Sequence, residues 1–149
     1  MKELISIQAE LECHKGQFNS FGKYHYRSCE DILTAVKPLL AKYHVVLTVS
    51  DEIVHLGNHV YIQAVATIQN TEKETVYCNG FARHADTKKG MDDAQITGSA
   101  SSYARKYALN GLFLIDDVKD SDSTNTHGKA PQQPRTDSTP SAGGDDFDF

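Results

Sequence analysis

An α+β fold is what this sequence predicts: a three-stranded antiparallel meander packed against helices, followed by a disordered acidic tail. Three observations carry that expectation. A helical apolar period follows Ser28, a period of two replaces it beyond His44, and helical spacing returns after Met91. Past about residue 120 no apolar period survives until the final residues.

The first helix begins at "SCED". Ser28 is a suitable N-cap, Glu30 and Asp31 lie at the positive end, and Ile32, Val36, Leu39, Leu40 and Tyr43 share one side. About 15 residues of helix are expected, with a bend at Pro38, where a backbone donor is missing. "FGKYHYRS", Phe21 to Ser28, reads as a short extended segment. Alternation there puts Tyr24 and Tyr26 on one side and Lys23, His25 and Arg27 on the other.

Three strands follow, at roughly 44–54, 59–69 and 74–84, with turns at "LGN" and "NTEKE". Val60, Ile62, Ala64, Ala66 and Ile68 alternate with Tyr61, Gln63, Val65, Thr67 and Gln69, so one face is the more apolar. Such a sheet needs a covering helix.

The stretch "GSASSYARKYALNGLFL" supplies it. Asp92 and Asp93 suit the helix start near Met91, and Ile96, Ala100, Tyr103, Ala104, Tyr107 and Leu112 recur at helical steps. The small residues Gly98 to Ser102 then let the helix approach the sheet closely, and "NG" at Asn110 and Gly111 reads as the stop.

The 149 residues accommodate one domain with a core, so residues 1–120 are expected to form the folded body, 121–144 a disordered linker and 145–149 a separate tip. Nothing approaches the roughly 20 apolar residues of a membrane span. Three distant cysteines, Cys13, Cys29 and Cys78, encode neither a disulfide framework nor a zinc knuckle. A soluble cytoplasmic protein with no membrane partner is the expectation.

A net charge of −5 argues at first against nucleic acid, but residues from 121 onward supply −3 of it. Cations elsewhere cluster: Lys15, Lys23, Arg27, Lys37 and Lys42 in one region, Arg83, Lys88, Lys89, Arg105 and Lys106 in another. Aromatics interleave with them, as in Tyr103, Arg105, Lys106, Tyr107 and in Lys23, Tyr24, Tyr26, Arg27. Aromatic faces beside cations are how a single strand is held. Helix-end cations and core tyrosines account for the same residues equally well. "FARHADTKKG" places Arg83, His84, Lys88 and Lys89 in a turn, either a solvated basic loop or a clamp on a phosphate backbone.

Enzymatic signals are sparse. Seven histidines show no paired ligand spacing, no phosphate-binding glycine loop is present, and the acid pairs Asp92–Asp93 and Asp116–Asp117 fit helix ends as well as magnesium. No cofactor or metal is expected, and the chain reads as a binding protein rather than an enzyme. The alternatives are an adaptor that binds protein through its tail, a DNA-binding module without further activity, and a small metal-dependent nuclease using Asp86, Asp92, Asp93 or Asp116. At the terminus "DDFDF", Asp145, Asp146, Phe147, Asp148 and Phe149 form a peptide that a basic, apolar pocket could capture. The acidic tip could also fold back on a basic groove and compete with nucleic acid.

"KYHYRSCEDILTAVKPLLAKYHVVLTV", a meander, and then "ITGSASSYARKYALNGLFLIDDVKDSD" together resemble the ERF family, the essential-recombination-function proteins of bacteriophages, over residues 15–122. The resemblance implies a β-β-β-α annealing core, single-stranded DNA binding, ATP-independent annealing of complementary strands, and assembly into homo-oligomeric rings or filaments. It implies DNA contact by Tyr103, Arg105, Lys106 and Tyr107, with Lys23, Tyr24, Tyr26 and Arg27 and the loop residues Arg83, His84, Lys88 and Lys89. The tip is similar to the acidic, Phe-ended tails of bacterial single-stranded-DNA-binding proteins, implying a replication or recombination partner.

Overall fold

The computed structural model describes residues 1–115. Helix α1 (Lys2–Glu10) leads into a small hairpin, β1 (Gln17–Asn19) and β2 (Tyr24–Tyr26), and then helix α2 (Cys29–Lys42). Strands β3 (Val46–Leu56), β4 (His59–Gln69) and β5 (Thr75–His84) follow, and helix α3 (Asp93–Phe113) closes the described chain. The sheet is antiparallel in the order β3-β4-β5. The expected α+β architecture, meander and covering helix are all present.

Local chemistry explains the boundaries. Ser28 and Asp31 make a reciprocal capping box at α2: the Asp31 N–H donates to Ser28 Oγ at 3.1 Å and the Ser28 N–H to Asp31 Oδ2 at 2.7 Å. That backbone donor holds the Asp31 carboxyl below its ordinary range. Pro38 lies inside α2, which continues to Lys42. Gly57, with φ +58°, allows the tight turn between β3 and β4. Asn70 knots the next turn, its Oδ1 accepting from the N–H groups of Glu72 and Glu74 at 3.0 and 2.9 Å.

The apolar alternation of β4 points where its period predicts. Ile62, Ala64, Ala66 and Ile68 are buried and face α3. From α3 come Ile96, Ala100, Ala104, Ala108, Leu109, Leu112 and Phe113, while α1 adds Leu4 and Ile7 and α2 adds Ile32 and Val36. One core cluster joins all three helices to the sheet. Each large aliphatic or aromatic side chain so buried contributes about 1.5–3 kcal/mol.

Two expectations need correction, and one element was not expected. Helix α3 does not stop at Asn110–Gly111; it runs to Phe113 and ends at Leu114, whose backbone is left-handed with φ +56°. Gly111 serves packing instead, since a Cβ there would press on Cys78 Sγ at 2.5 Å. Close approach to the sheet also comes from a different place than residues 98–102. Only Ala100 of that run is buried, and nothing lies within 4 Å of a Cβ added to Gly98. The tight contact is at Gly80 of β5, where a Cβ would collide with the backbone of Ala104 and Ala108. Finally, α1 adds an element that residues 1–14 did not signal. It is held by tertiary contacts: Gln8 Nε2 donates to the Leu112 carbonyl at 2.7 Å, and Lys42 Nζ to Glu10 Oε2, also at 2.7 Å.

Candidate nucleic-acid interface

The solvent-facing flank of α3 gathers most of the candidate side chains. Tyr103 and Tyr107, one turn apart, are 50% and 45% exposed, with ring centroids 6.2 Å from each other. They border the buried stripe rather than belong to it. Lys106 Nζ stands 5.3 Å from the Tyr103 centroid and 5.9 Å from that of Tyr107, so one ammonium addresses two π faces.

Two hollows flank Tyr103. The larger, of about 350 Å³, lies between the end of β5, the loop after it and α3; Phe81, Arg83, Lys88, Ser99, Tyr103 and Tyr107 are among its lining residues. The smaller, of about 170 Å³, is walled by Tyr26, Arg27, Ser28, Cys29, Glu30, Ser102, Tyr103 and Lys106. Tyr103 is therefore a shared wall, with cations on both sides. Phe81, which is 46% exposed, was not among the sequence candidates, and neither were Ser99 and Ser102 as lining groups. The alternation in β5 carried the signal for Phe81, because Phe81 and Arg83 share the face opposite the core.

Other candidates sit differently. The Arg105 guanidinium is turned to β3: its Nε is 3.0 Å from both carboxylate oxygens of Asp51, and its Nη2 is 2.9 Å from Oδ2. Ser101 Oγ donates to the same carboxylate at 2.6 Å. Partial burial tends to raise the Asp51 pKa, but the Arg105 and Ser101 hydrogen bonds outweigh it and hold the carboxyl below its ordinary range. The same bond raises the pKa of Arg105. Arg27 is only 7% exposed, so the expected basic side of Lys23, His25 and Arg27 does not form. Lys23 lies in the hairpin turn with φ +53° and so breaks the alternation. The tyrosine side does form, Tyr24 and Tyr26 meeting edge-on at 6.1 Å.

Arg83 Nη2 donates to His59 Nδ1 at 2.9 Å while still lining the larger hollow. His84 joins β5 to the first turn of α3. The Thr97 hydroxyl donates to the Asp93 carbonyl at 3.0 Å, and His84 Nε2 approaches that hydroxyl at 2.9 Å. Lys88 and Lys89 are exposed in the β5–α3 loop. Cys29, in the smaller hollow, has its thiol pKa raised by burial and then by Glu30, which leaves it poorly nucleophilic.

Among the described residues no group of three His, Cys, Asp or Glu side chains converges to hold a metal. Asp92 is occupied as the α3 N-cap, accepting from the Gln95 N–H at 2.8 Å. No helix among them is long and apolar enough to cross a membrane. Asp116 and the tip residues Asp145, Asp146, Phe147, Asp148 and Phe149 lie outside the described residues.

Comparison with known proteins supplies the family. The chain is 56% identical, over 120 residues, to the essential recombination function protein of Salmonella phage P22. The match covers 80% of this chain and 57% of that relative, so the chain spans little more than half the length of the protein it matches. The family model described as ERF superfamily matches residues 1–144. The chain, with its meander, covering helix and Tyr-Ala-Arg-Lys-Tyr segment, belongs to the ERF superfamily.

Proposed function

We propose that this chain binds single-stranded DNA along the α3 flank and promotes the pairing of complementary strands without ATP, as one subunit of an oligomeric ring or filament acting in phage recombination. One observation carries the reading: Lys106 stands over two half-exposed tyrosines between two hollows that collect cations and aromatics. Bases can stack on Tyr103 and Tyr107 while Lys106, Lys88 and Arg83 offset phosphate charge. Neutralising phosphates lowers the repulsion between two strands, and splayed bases expose their pairing edges. Sequence selectivity then resides in base pairing and not in the protein.

Tyr24 and Tyr26 extend this surface on the α2 side, Arg27 is buried in the wall of the smaller hollow beneath it, and Lys23, His84 and Lys89 border it. Arg105, held by Asp51, keeps the helix in register more than it contacts DNA. One flank of this length serves few nucleotides, which favours an assembly whose flanks join into a track. Residues 1–120 are proposed as the DNA-binding body, 121–144 as a tether and 145–149 as a docking peptide for another recombination or replication protein, such as a single-stranded-DNA-binding protein. The relative's name, essential recombination function protein, supports the recombination setting. No cofactor is required, and the host cytoplasm is the proposed location.

The test is the rate at which two complementary labelled oligonucleotides anneal in chelator with no nucleotide present. Acceleration that rises with protein concentration is expected. Retention of DNA without acceleration would reduce the role to protective binding; no retention would leave an adaptor acting through its tail.

A further inference from the structure

The β1–β2 hairpin turns one large apolar side chain fully outward. Phe21 is 99% exposed, further than any other large apolar residue among the described ones. It does not sit on a loose tip. The N–H groups of Phe21 and Gly22 donate to Asn19 Oδ1 at 3.0 and 2.9 Å, and Asn19 Nδ2 donates to the Tyr24 hydroxyl at 3.2 Å. On the other side a Cβ at Gly22 would collide with the Tyr24 ring, so that ring closes down on the turn backbone. Phe18 packs on His25 at 4.9 Å and Tyr24 on Tyr26 at 6.1 Å. The hairpin thus pairs its other aromatic rings with one another and presents Phe21 alone from a braced turn.

At that exposure the Phe21 ring packs on nothing among the described residues. The surrounding charge points to its occupant. In a chain with 20 acidic residues, positions 13–27 contain none, and Lys23 lies exposed within them. Bases carried on an anionic backbone suit an exposed ring with an exposed cation, Lys23, two positions away in the same turn. We propose that Phe21 is a stacking pin: it lies on an unstacked base of single-stranded DNA while Lys23 offsets an adjoining phosphate. The inference rests on the DNA-binding reading above and extends it to a second contact, separate from Tyr103 and Tyr107. A duplex is the poorer occupant, because its base faces are already covered and opening a step is costly. A braced pin loses little side-chain freedom on binding, which makes the contact selective for free bases.

The chain contains no tryptophan, so Phe21→Trp introduces a single fluorescent reporter at the pin. An end-labelled oligothymidylate reports binding separately through its anisotropy. Quenching of the tryptophan in step with the anisotropy rise is expected. Phe21→Ala should bind the oligonucleotide roughly 5- to 150-fold more weakly, the span of one base–aromatic stack, with its salt dependence unchanged and Phe21→Trp restoring affinity. Wild-type binding by Phe21→Ala, with tryptophan emission unmoved at saturation, would overturn the pin and leave the DNA-binding reading standing. Emission that changes with protein concentration in the absence of DNA, together with a smaller assembly for Phe21→Ala, would assign Phe21 to contact between copies instead. Failure of the wild-type chain to bind any single strand would overturn the broader reading, and the pin with it.

Discussion

Arg105 and Asp51 are joined across 54 positions of sequence by a guanidinium laid against a carboxylate, Nε 3.0 Å from each oxygen. The pair ties α3 to β3, the strand that the helix otherwise barely touches. It adds a polar tie to the rotation that the buried Ala100, Ala104 and Ala108 impose on the helix, which leaves Tyr103 and Tyr107 facing outward. Because the pair is partly solvated, Asp51→Ala should cost about 1 kcal/mol in chemical denaturation.

The acid side of the stability profile should report the same pair. The folded Asp51 carboxyl sits below its ordinary value of 3.8, so its contribution is complete above that pH and disappears as pH falls through the folded value. Asp51→Asn should lose stability at neutral pH and show a shallower acid decline than the wild type. An unchanged acid limb in the variant would remove the pair from this role.

Gly80 and Gly111 should respond very differently to alanine. At Gly80 the new methyl group meets the α3 backbone at Ala104 and Ala108, which cannot yield without lifting the helix, and a loss of about 3 kcal/mol in thermal or denaturant unfolding is expected. At Gly111 it meets only the Cys78 thiol, a single rotatable group, while alanine gains up to about 1 kcal/mol of helix propensity. Gly111→Ala should therefore be close to neutral.

Tyr103 and Lys106 should separate in their dependence on salt. Lys106→Ala is expected to weaken single-strand binding about equally for all sequences and to flatten the dependence on log salt by roughly one unit. Tyr103→Ala should weaken binding by about 1–3 kcal/mol with the salt slope retained, and Tyr103→Phe should keep most of the affinity because the π face remains. Filter-binding titrations at several salt concentrations distinguish these patterns. A sequence-dependent loss in Lys106→Ala would contradict phosphate contact there.

The capping box at α2 should be worth about 1 kcal/mol, read as the loss in Ser28→Ala, and Ser28→Asp should retain most of it. Equal stability of Ser28→Ala and wild type would mean that packing of Ile32 and Val36 alone sets the start of α2.

What the sequence determined by itself is what depends on neighbours along the chain. Period, caps and turn residues act over a few positions, so the meander, the apolar face of Ile62, Ala64, Ala66 and Ile68, and the start of α2 at Ser28 could all be read directly. The family was legible for the same reason, in two contiguous runs, residues 23–49 and 96–122, around the meander. Tertiary structure decided whatever required two distant segments to meet. It placed the close approach at Gly80 rather than at residues 98–102, carried α3 past Gly111, assembled α1 onto the end of α3 and buried Arg27. It also resolved Tyr103 and Tyr107, which the helical spacing left open between core and surface, by setting them at the rim of the buried stripe. Helical period says which residues share a side but not how wide a side the sheet covers. That width follows from the Ala100, Ala104 and Ala108 seat, which brings the helix so near to β5 that the next residues around, the two tyrosines, are left half outside.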